Sequence, residues 1–499
     1  MTRPLRKPSK LTGLKRRVHQ LHTLTPLYEV SLRPKQQTPP LQDLPPLPWT
    51  GMSDLGKDML QGQFTYFDKR KSLPAAWQVP VTDQDFFAYQ HRFDWMYHLR
   101  EVGGSAARRL ARSLVSGWLD LFEKWDAVVW QEDILAQRLI NCIGLYEFYG
   151  TSADDRFRMD LAHHVKRQHS HLERLVRLSD VPKMPSLVAL LIAGLALQDV
   201  PFEAQKGHLR LLDSLLEEQV SSYGFLRTKA SATDHLQLFQ NLLYLRMCSH
   251  GLKHPIPAQL QGALHKFALG LRLSVVGSHT LLSQPLTPFQ KNGLSMGLSK
   301  IPGKMSPQSW VKEDSFLRAP IGKAILHAHC RQGLHFHLSS PTAPLCHLYT
   351  MPILPQATQV PALLAKWSDG NLLLNQSLTY QTSKTELIHS RQLYVRHDAS
   401  DIRAHETLIG EGGEDLTFML SLAPQVTKVS PLEKEGGILI SSLKMGTWIL
   451  KINGASRLSL RKAKLWTMNG DQQPHYIIKF SAPFAAGGYQ VKWSLKLLA

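Results

Sequence analysis

Apolar residues recur at helical spacing through the first half of this chain and at alternating spacing through the second. Between Asp85 and Leu119 the sequence DFFAYQHRFDWMYHLREVGGSAARRLARSLVSGWL groups Phe93, Met96 and Leu99, then Leu110, Leu114 and Trp118. That spacing predicts two amphipathic helices broken at Gly103-Gly104. The same period runs through segments beginning at Asp133, Asp155, Ser186, Gly207, Asp234 and Leu260, with Ser152 or Asp154 and then Thr233 placed as capping residues. Helical hairpins in series build a solenoid, a bundle or a toroid, and the lack of a fixed-period repeat counts against the solenoid.

Past Gly277 the pattern changes. Residues 278–320 are rich in Gly, Pro, Ser and Lys without a period and read as a linker or long loop. From 321 onward short alternating runs (GLHFHLSS, NLLLNQSLTYQ, ELIHSRQLYVRHD, DLTFMLSLA, GILISSL, TWILKI, YIIKFSA, YQVKWSLKLL) are separated by turn signals at Asp369-Gly370, Gly412-Gly413, Asn453-Gly454 and Asn469-Gly470. These predict an antiparallel β-sandwich over 321–499 after a helical domain over 81–277. Residues 1–80, basic and then Pro-rich, read as an extended arm around the helical domain.

Composition changes the picture through its charge. The chain has 499 residues, too many for one core, with 58 Lys+Arg against 39 Asp+Glu, a formal net charge of +19. Such a balance favours a polyanionic partner: acidic polysaccharide, nucleic acid or an anionic surface. Helix-turn-helix, RRM and zinc-finger patterns are missing from the sequence, so nucleic acid is not expected. Four cysteines without a CxxC pair read as buried thiols. No apolar run is long enough to span a bilayer. The basic start (Arg3, Arg6, Lys7, Lys10) lacks the apolar core of a signal peptide, so a cytoplasmic location is expected.

Wording adds a family. HRFDW, REVGG and AARRLARSLV in the opening hairpin, YGFLRTKASATDHLQLFQNLLYLR from Tyr223, LIHSRQLYVRHD from Leu387 and FMLSLAP from Phe418 together resemble, in order, bacterial heparinase II/III-like proteins. The resemblance implies an (α/α) toroid followed by a β-sandwich, and a carbon-oxygen lyase that cleaves uronate polysaccharide by β-elimination. That chemistry needs groups that neutralise the uronate carboxylate and a base that removes the proton α to it. It also implies a periplasmic or cell-envelope setting as the alternative to the cytoplasm.

Carried onto this chain, the family's pattern is partly replaced. Its carboxylate-holding Asn-His pair falls on Val181 and Pro182, which offer no side-chain donor. Its Tyr-His pair falls on Asp234 and His235. His235 is therefore the first catalytic expectation, Asp234 reads as a helix N-cap, and His347, in CHLYT, is the second catalytic expectation. In FMLSLAP, Ser421 and Ala423 stand where the family's strand has histidines that help to hold a metal. Sugar rings stack on aromatics and uronates pair with arginine, so Tyr89, Arg92, Arg227, His389 and Arg391 form the expected substrate-binding set. Trp95, Trp118, Trp125 and Trp130 read as packing.

A separate histidine cluster lies in HAHC (His327, His329), HFH (His335, His337) and CH (Cys346, His347). On strands, H-x-H puts both rings on one face, and two such strands side by side offer Zn²⁺ three or four ligands. A His-rich surface in a chain with 23 histidines is the other reading, and no cofactor is the expectation. Two functions follow: a lyase of acidic polysaccharide, with its activity kept or lost, or a binding protein for an anionic glycan or cell-envelope polymer on the same scaffold.

Overall fold

The computed structural model describes residue 23 and residues 25–498, apart from 35, 67–68, 74–76, 78–81, 228–230, 277–279, 282–283, 304–309, 314–315, 331–333, 341–343, 351–357, 382–385, 411–415, 424, 433–436, 467–471 and 483–488. The basic start of the chain and the turns at Gly412-Gly413 and Asn469-Gly470 lie outside the described residues. The chain divides into two compact units. One draws on residues within 1–228, 234–270 and 287–302, the other on 229–233, 271–286 and 303–499.

The first unit is helical. The helix Gly104–Leu121 buries Ala107, Ala111, Leu114, Val115, Trp118 and Leu119, a stripe at i, i+4, i+7, i+8, i+11 and i+12. Its start is set by Gly103 and Gly104, whose φ values of 69° and 76° are open to glycine at little cost. The segment before it is not one helix but two, Gln84–His91 and Met96–Val102, separated by a turn in which Phe93 has φ 63°. Asp154 caps Asp155–Arg177 by accepting from the Phe157 amide at 2.8 Å. The helix Ala232–Gly251 starts one residue before Thr233, so Thr233 and Asp234 sit inside its first turn and neither is its N-cap. An acid there favours the helix by opposing its dipole. Met184–Ala196 is apolar from Leu187 onward and buried from Ser186 to its end, as a helix surrounded by others must be.

The stretch expected as an extended arm carries short elements: helices Pro26–Leu32 and Ser53–Leu60, and the strand pair β1 (Gln63–Tyr66) and β2 (Lys69–Ser72). Between them, Leu41, Leu44, Leu47 and Trp49 are buried. The Gln42 amide donates to the Ala196 carbonyl and the Leu47 amide to that of Gly144, so this part of the chain is tied to the helical core. The stretch 278–320 is not a plain linker. It holds the helix Pro288–Lys300, with a Thr287/Gln290 capping box, which the many Gly and Ser residues of the segment disguise.

The second unit starts with small strands β3 (Val275–Val276), β4 (Thr280–Leu281) and β5 (Gln284–Pro285). Then follow β6 (Val311–Glu313), β7 (Phe316–Ile321), β8 (Ala324–His329), β9 (His335–Ser339), β10 (Pro344–Thr350), β11 (Thr358–Ser368), β12 (Asn371–Gln381), β13 (Glu386–Val395), β14 (Asp401–Gly410), β15 (Leu416–Leu422), β16 (Val426–Leu432), β17 (Gly437–Ser442), β18 (Gly446–Asn453), β19 (Arg457–Trp466), β20 (Gln472–Ala482) and β21 (Tyr489–Leu497). They form two eight-stranded antiparallel sheets, ordered β19-β20-β15-β10-β9-β8-β7-β6 and β11-β12-β13-β14-β21-β18-β17-β16. One buried apolar cluster draws Leu326, Phe336, Leu348, Phe418 and Phe480 from the first sheet and Leu374, Leu393, Leu408, Trp448 and Trp493 from the second. That shared core makes the pair a sandwich.

Asp369-Gly370 closes the β11–β12 hairpin with positive φ at both residues, 51° and 78°. Asn453-Gly454 does a different job. Both edges of β18 are already paired, to β17 and β21, so the chain crosses here to the other sheet. The expected fold class, helical domain then antiparallel sandwich, is the one found.

Candidate functional site

The histidines of β8, β9 and β10 stand in register. His327 pairs with His337 and His337 with His347; one step along, His329 pairs with His335 and His335 with Tyr349. Alternation sends Leu326, Ala328, Phe336 and Leu348 to the sandwich core, so the histidines occupy the opposite face of that sheet. Their rings stack: His329 on His335 at 4.1 Å, His337 on His347 at 3.8 Å, and His347 beside Tyr349 at 4.8 Å between centroids. His335 Nδ1 lies 3.0 Å from His347 Nε2, and His327 Nε2 lies 3.1 Å from the Leu273 carbonyl. His327, His329, His335 and His337 are all buried, which corrects the reading of a His-rich surface.

Ligand nitrogens of His329, His335 and His337 lie within 4.8 Å of one another. Burial, and then the surrounding imidazoles, hold His337 well below the usual histidine range, so its ring is neutral and able to bind a cation. Burial and the nearby Arg318 guanidinium take His327 down to about 3. The row continues into β15, where Ser421 pairs with His347 and its hydroxyl lies 3.0 Å from His475 Nε2. His475 was missed in the sequence, where a lone histidine before YIIKF carries no spacing signal.

The two expected catalytic histidines belong to different units, His235 to the first and His347 to the second. His235 is buried in the helical unit and its Nε2 accepts from the Leu226 amide at 2.6 Å, so it braces the turn before its own helix. Val181 is exposed and Pro182 buried, and neither side chain donates. His347 belongs to the imidazole stack.

The expected substrate-binding set divides between the units, Tyr89, Arg92 and Arg227 in the first and His389 and Arg391 in the second. His389 and Arg391 are corrected outright. Both are fully buried, with Glu406 between them: Arg391 Nε donates to one Glu406 oxygen, His389 Nε2 lies 3.1 Å from the other, and Trp493 Nε1 donates at 2.9 Å. Burial works to raise the Glu406 carboxyl, but Arg391 beside it, with His389 and Trp493, holds it below its ordinary value. This is a closed ion pair in the sandwich interior, where no sugar reaches. Tyr89 is also buried, against Tyr66 at 4.7 Å and Phe64 at 5.8 Å, and burial keeps its phenol protonated. Arg92 is partly exposed and pairs with Asp133 at 3.0 Å. Arg227 is exposed, and its backbone amide is tied to the Gln219 carbonyl.

One polar group in the helical unit was not anticipated. Asn141 accepts from Tyr97 Oη at 2.9 Å and Gln137 Nε2 at 3.0 Å, and donates to the Arg92 carbonyl and to Asp94, both at 2.8 Å. Burial raises Asp94 to about 6. Its sequence signal was an acid, Asp94, standing inside the otherwise aromatic FDWMY.

Among solved structures the chain is similar to heparinase III, with a TM-score of 0.62 at 12% identity over 90% of this chain and 86% of that one. It is also similar to the heparan sulfate lyase HepC of Pedobacter heparinus, with a TM-score of 0.44 at 14% identity over 89% and 82%. The likeness to heparinase III gives the fold, a helical toroid followed by a β-sandwich. In sequence it is 28% identical to FtsZ-localized protein C of Caulobacter vibrioides (strain NA1000 / CB15N) over 188 residues, 38% of this chain. The match spans about a third (32%) of that relative's length. No family model matches the chain. No helix among the described residues is long and apolar enough to cross a membrane.

Proposed function

We propose that this chain binds an acidic polysaccharide on a lyase scaffold and does not cleave it. The commitment of His235 to the Leu226 amide carries this reading, because a buried ring nitrogen held as a backbone acceptor cannot also serve the α-proton of a uronate. The replacements Val181, Pro182 and Asp234 point the same way, since the first two offer no side-chain donor to a uronate carboxylate and the third replaces the phenol of the resembled family. The net charge of +19 and the likeness to heparinase III support the acidic glycan as partner.

The test mixes the purified chain with a panel of uronate polymers and follows both the ultraviolet absorbance of unsaturated product and retention on the immobilised polymers. Retention that weakens with salt, with no absorbance, is the expected result. Absorbance that survives His235→Ala would place a lyase site elsewhere on the chain, and absorbance lost with that variant would restore His235 as a catalytic residue.

The similarity to FtsZ-localized protein C favours one member of this class, a polymer of the cell envelope, bound where FtsZ gathers. A fluorescent fusion concentrated with FtsZ is expected; an even distribution through the cell overturns this narrower reading.

A further inference from the structure

We propose that His329, His335 and His337 form a zinc site on the sheet face opposite the sandwich core. All three are on adjacent strands of one sheet, and their ligand nitrogens already lie within 4.8 Å of one another. Zinc with Zn–N bonds of about 2.0–2.1 Å in tetrahedral geometry sets its nitrogens about 3.4 Å apart, so closing the site asks for small ring rotations and no change of backbone. Strand pairing fixes the approach: His329 and His335 are cross-strand partners, and His337 follows two residues along on the same face.

Two further features suit a cation. His337 Nε2 is buried with no hydrogen-bond partner among the described residues, a cost that a metal bond removes. His335 engages His347 through Nδ1 at 3.0 Å, which assigns Nε2 as its ligand atom and makes His347 the neighbour that fixes its tautomer. With His347 turned to that task, the fourth position falls to water. Three imidazole nitrogens favour a borderline ion such as Zn²⁺ over Mg²⁺ or Ca²⁺, which prefer oxygen donors. The site is independent of the glycan reading and stands or falls separately.

The experiment strips the full chain with a chelator, adds Zn²⁺ alone, and measures bound metal after gel filtration together with affinity by calorimetry. One zinc per chain is expected. His337→Ala and His335→Ala should each weaken binding at least tenfold, and His405→Ala, on a distant strand, should leave it unchanged. Wild-type chain that holds no stoichiometric zinc overturns the proposal, as does equal binding by His337→Ala. Should a variant fail to fold, Co²⁺ added to the wild-type chain decides: intense visible bands of tetrahedral cobalt uphold the site, and a spectrum of octahedral aqueous cobalt removes it.

Discussion

At the scale of single residues, the chain places polar groups where the strand pattern calls for apolar ones. β13 buries Leu387, His389, Arg391, Leu393 and Val395 on one face, and the Glu406 carboxylate across on β14 makes the middle pair tolerable. Truncating one member of a buried pair costs more than the pair contributes, because the other charge stays behind. Glu406→Ala should therefore destabilise the sandwich by about 3–5 kcal/mol, read by urea unfolding. A loss below about 1 kcal/mol, the scale of an exposed ion pair, would show that water reaches Arg391. The sequence offered H-x-R as a ligand motif because residue type alone does not tell a side chain facing solvent from one facing a core. Asn141 teaches the same lesson, since its four partners come from Arg92, Asp94, Tyr97 and Gln137, and only Gln137 is near in sequence.

Elements were more legible. The stripe Leu114 and Trp118, the break at Gly103-Gly104 and the cap Asp154 follow from local rules, and the structure has each of them. The two glycine roles in that region are separable. Gly103 sits at φ 69° and ψ −165°, so Gly103→Ala should cost about 1–3 kcal/mol through backbone strain. Gly117 lies inside the helix Gly104–Leu121 with open space where a Cβ would go, so Gly117→Ala should stabilise by about 0.5–1 kcal/mol. Thermal unfolding of the two variants should move in opposite directions, and a shared sign would refute the assignment. The turn at Phe93 escaped the pattern because an aromatic residue at positive φ goes against its own preference and is held by the fold around it. The helix Pro288–Lys300 escaped because its Gly and Ser residues score as loop, although its capping box was there to be read.

At the scale of the molecule, titration follows from burial. In the helical unit burial depresses His91 to about 3, His98 to about 4 and His164 to about 3, with Arg138 adding to the first and Arg167 to the last. A base with a lowered folded pKa contributes stability that is present above its unfolded value near 6.5 and is lost as the pH falls. Asp94, raised to about 6 by burial, acts in the opposite sense: its contribution is complete below about 4 and is lost as the pH rises through about 6. Near pH 5 three histidines outweigh one carboxyl. The net contribution of these four groups to the stability of the helical unit should then fall by roughly 3 kcal/mol per pH unit on acidification. Urea midpoints at pH 6.5, 5.5 and 4.5 measure this, and a flat series would mean that these imidazoles are solvated.

What the sequence determined by itself was order and class: helices, then strands, with the apolar faces that make two cores, because helical and alternating periodicity are local and each face must be covered. It also carried the charge that points to a polyanion. Only the tertiary structure decided which histidines meet. Strand register aligns His327, His337 and His347 in one row, and burial closes His389 and Arg391 against Glu406. Pairing between strands and exclusion of water are set by contacts between residues far apart in the chain, and no window of sequence contains them.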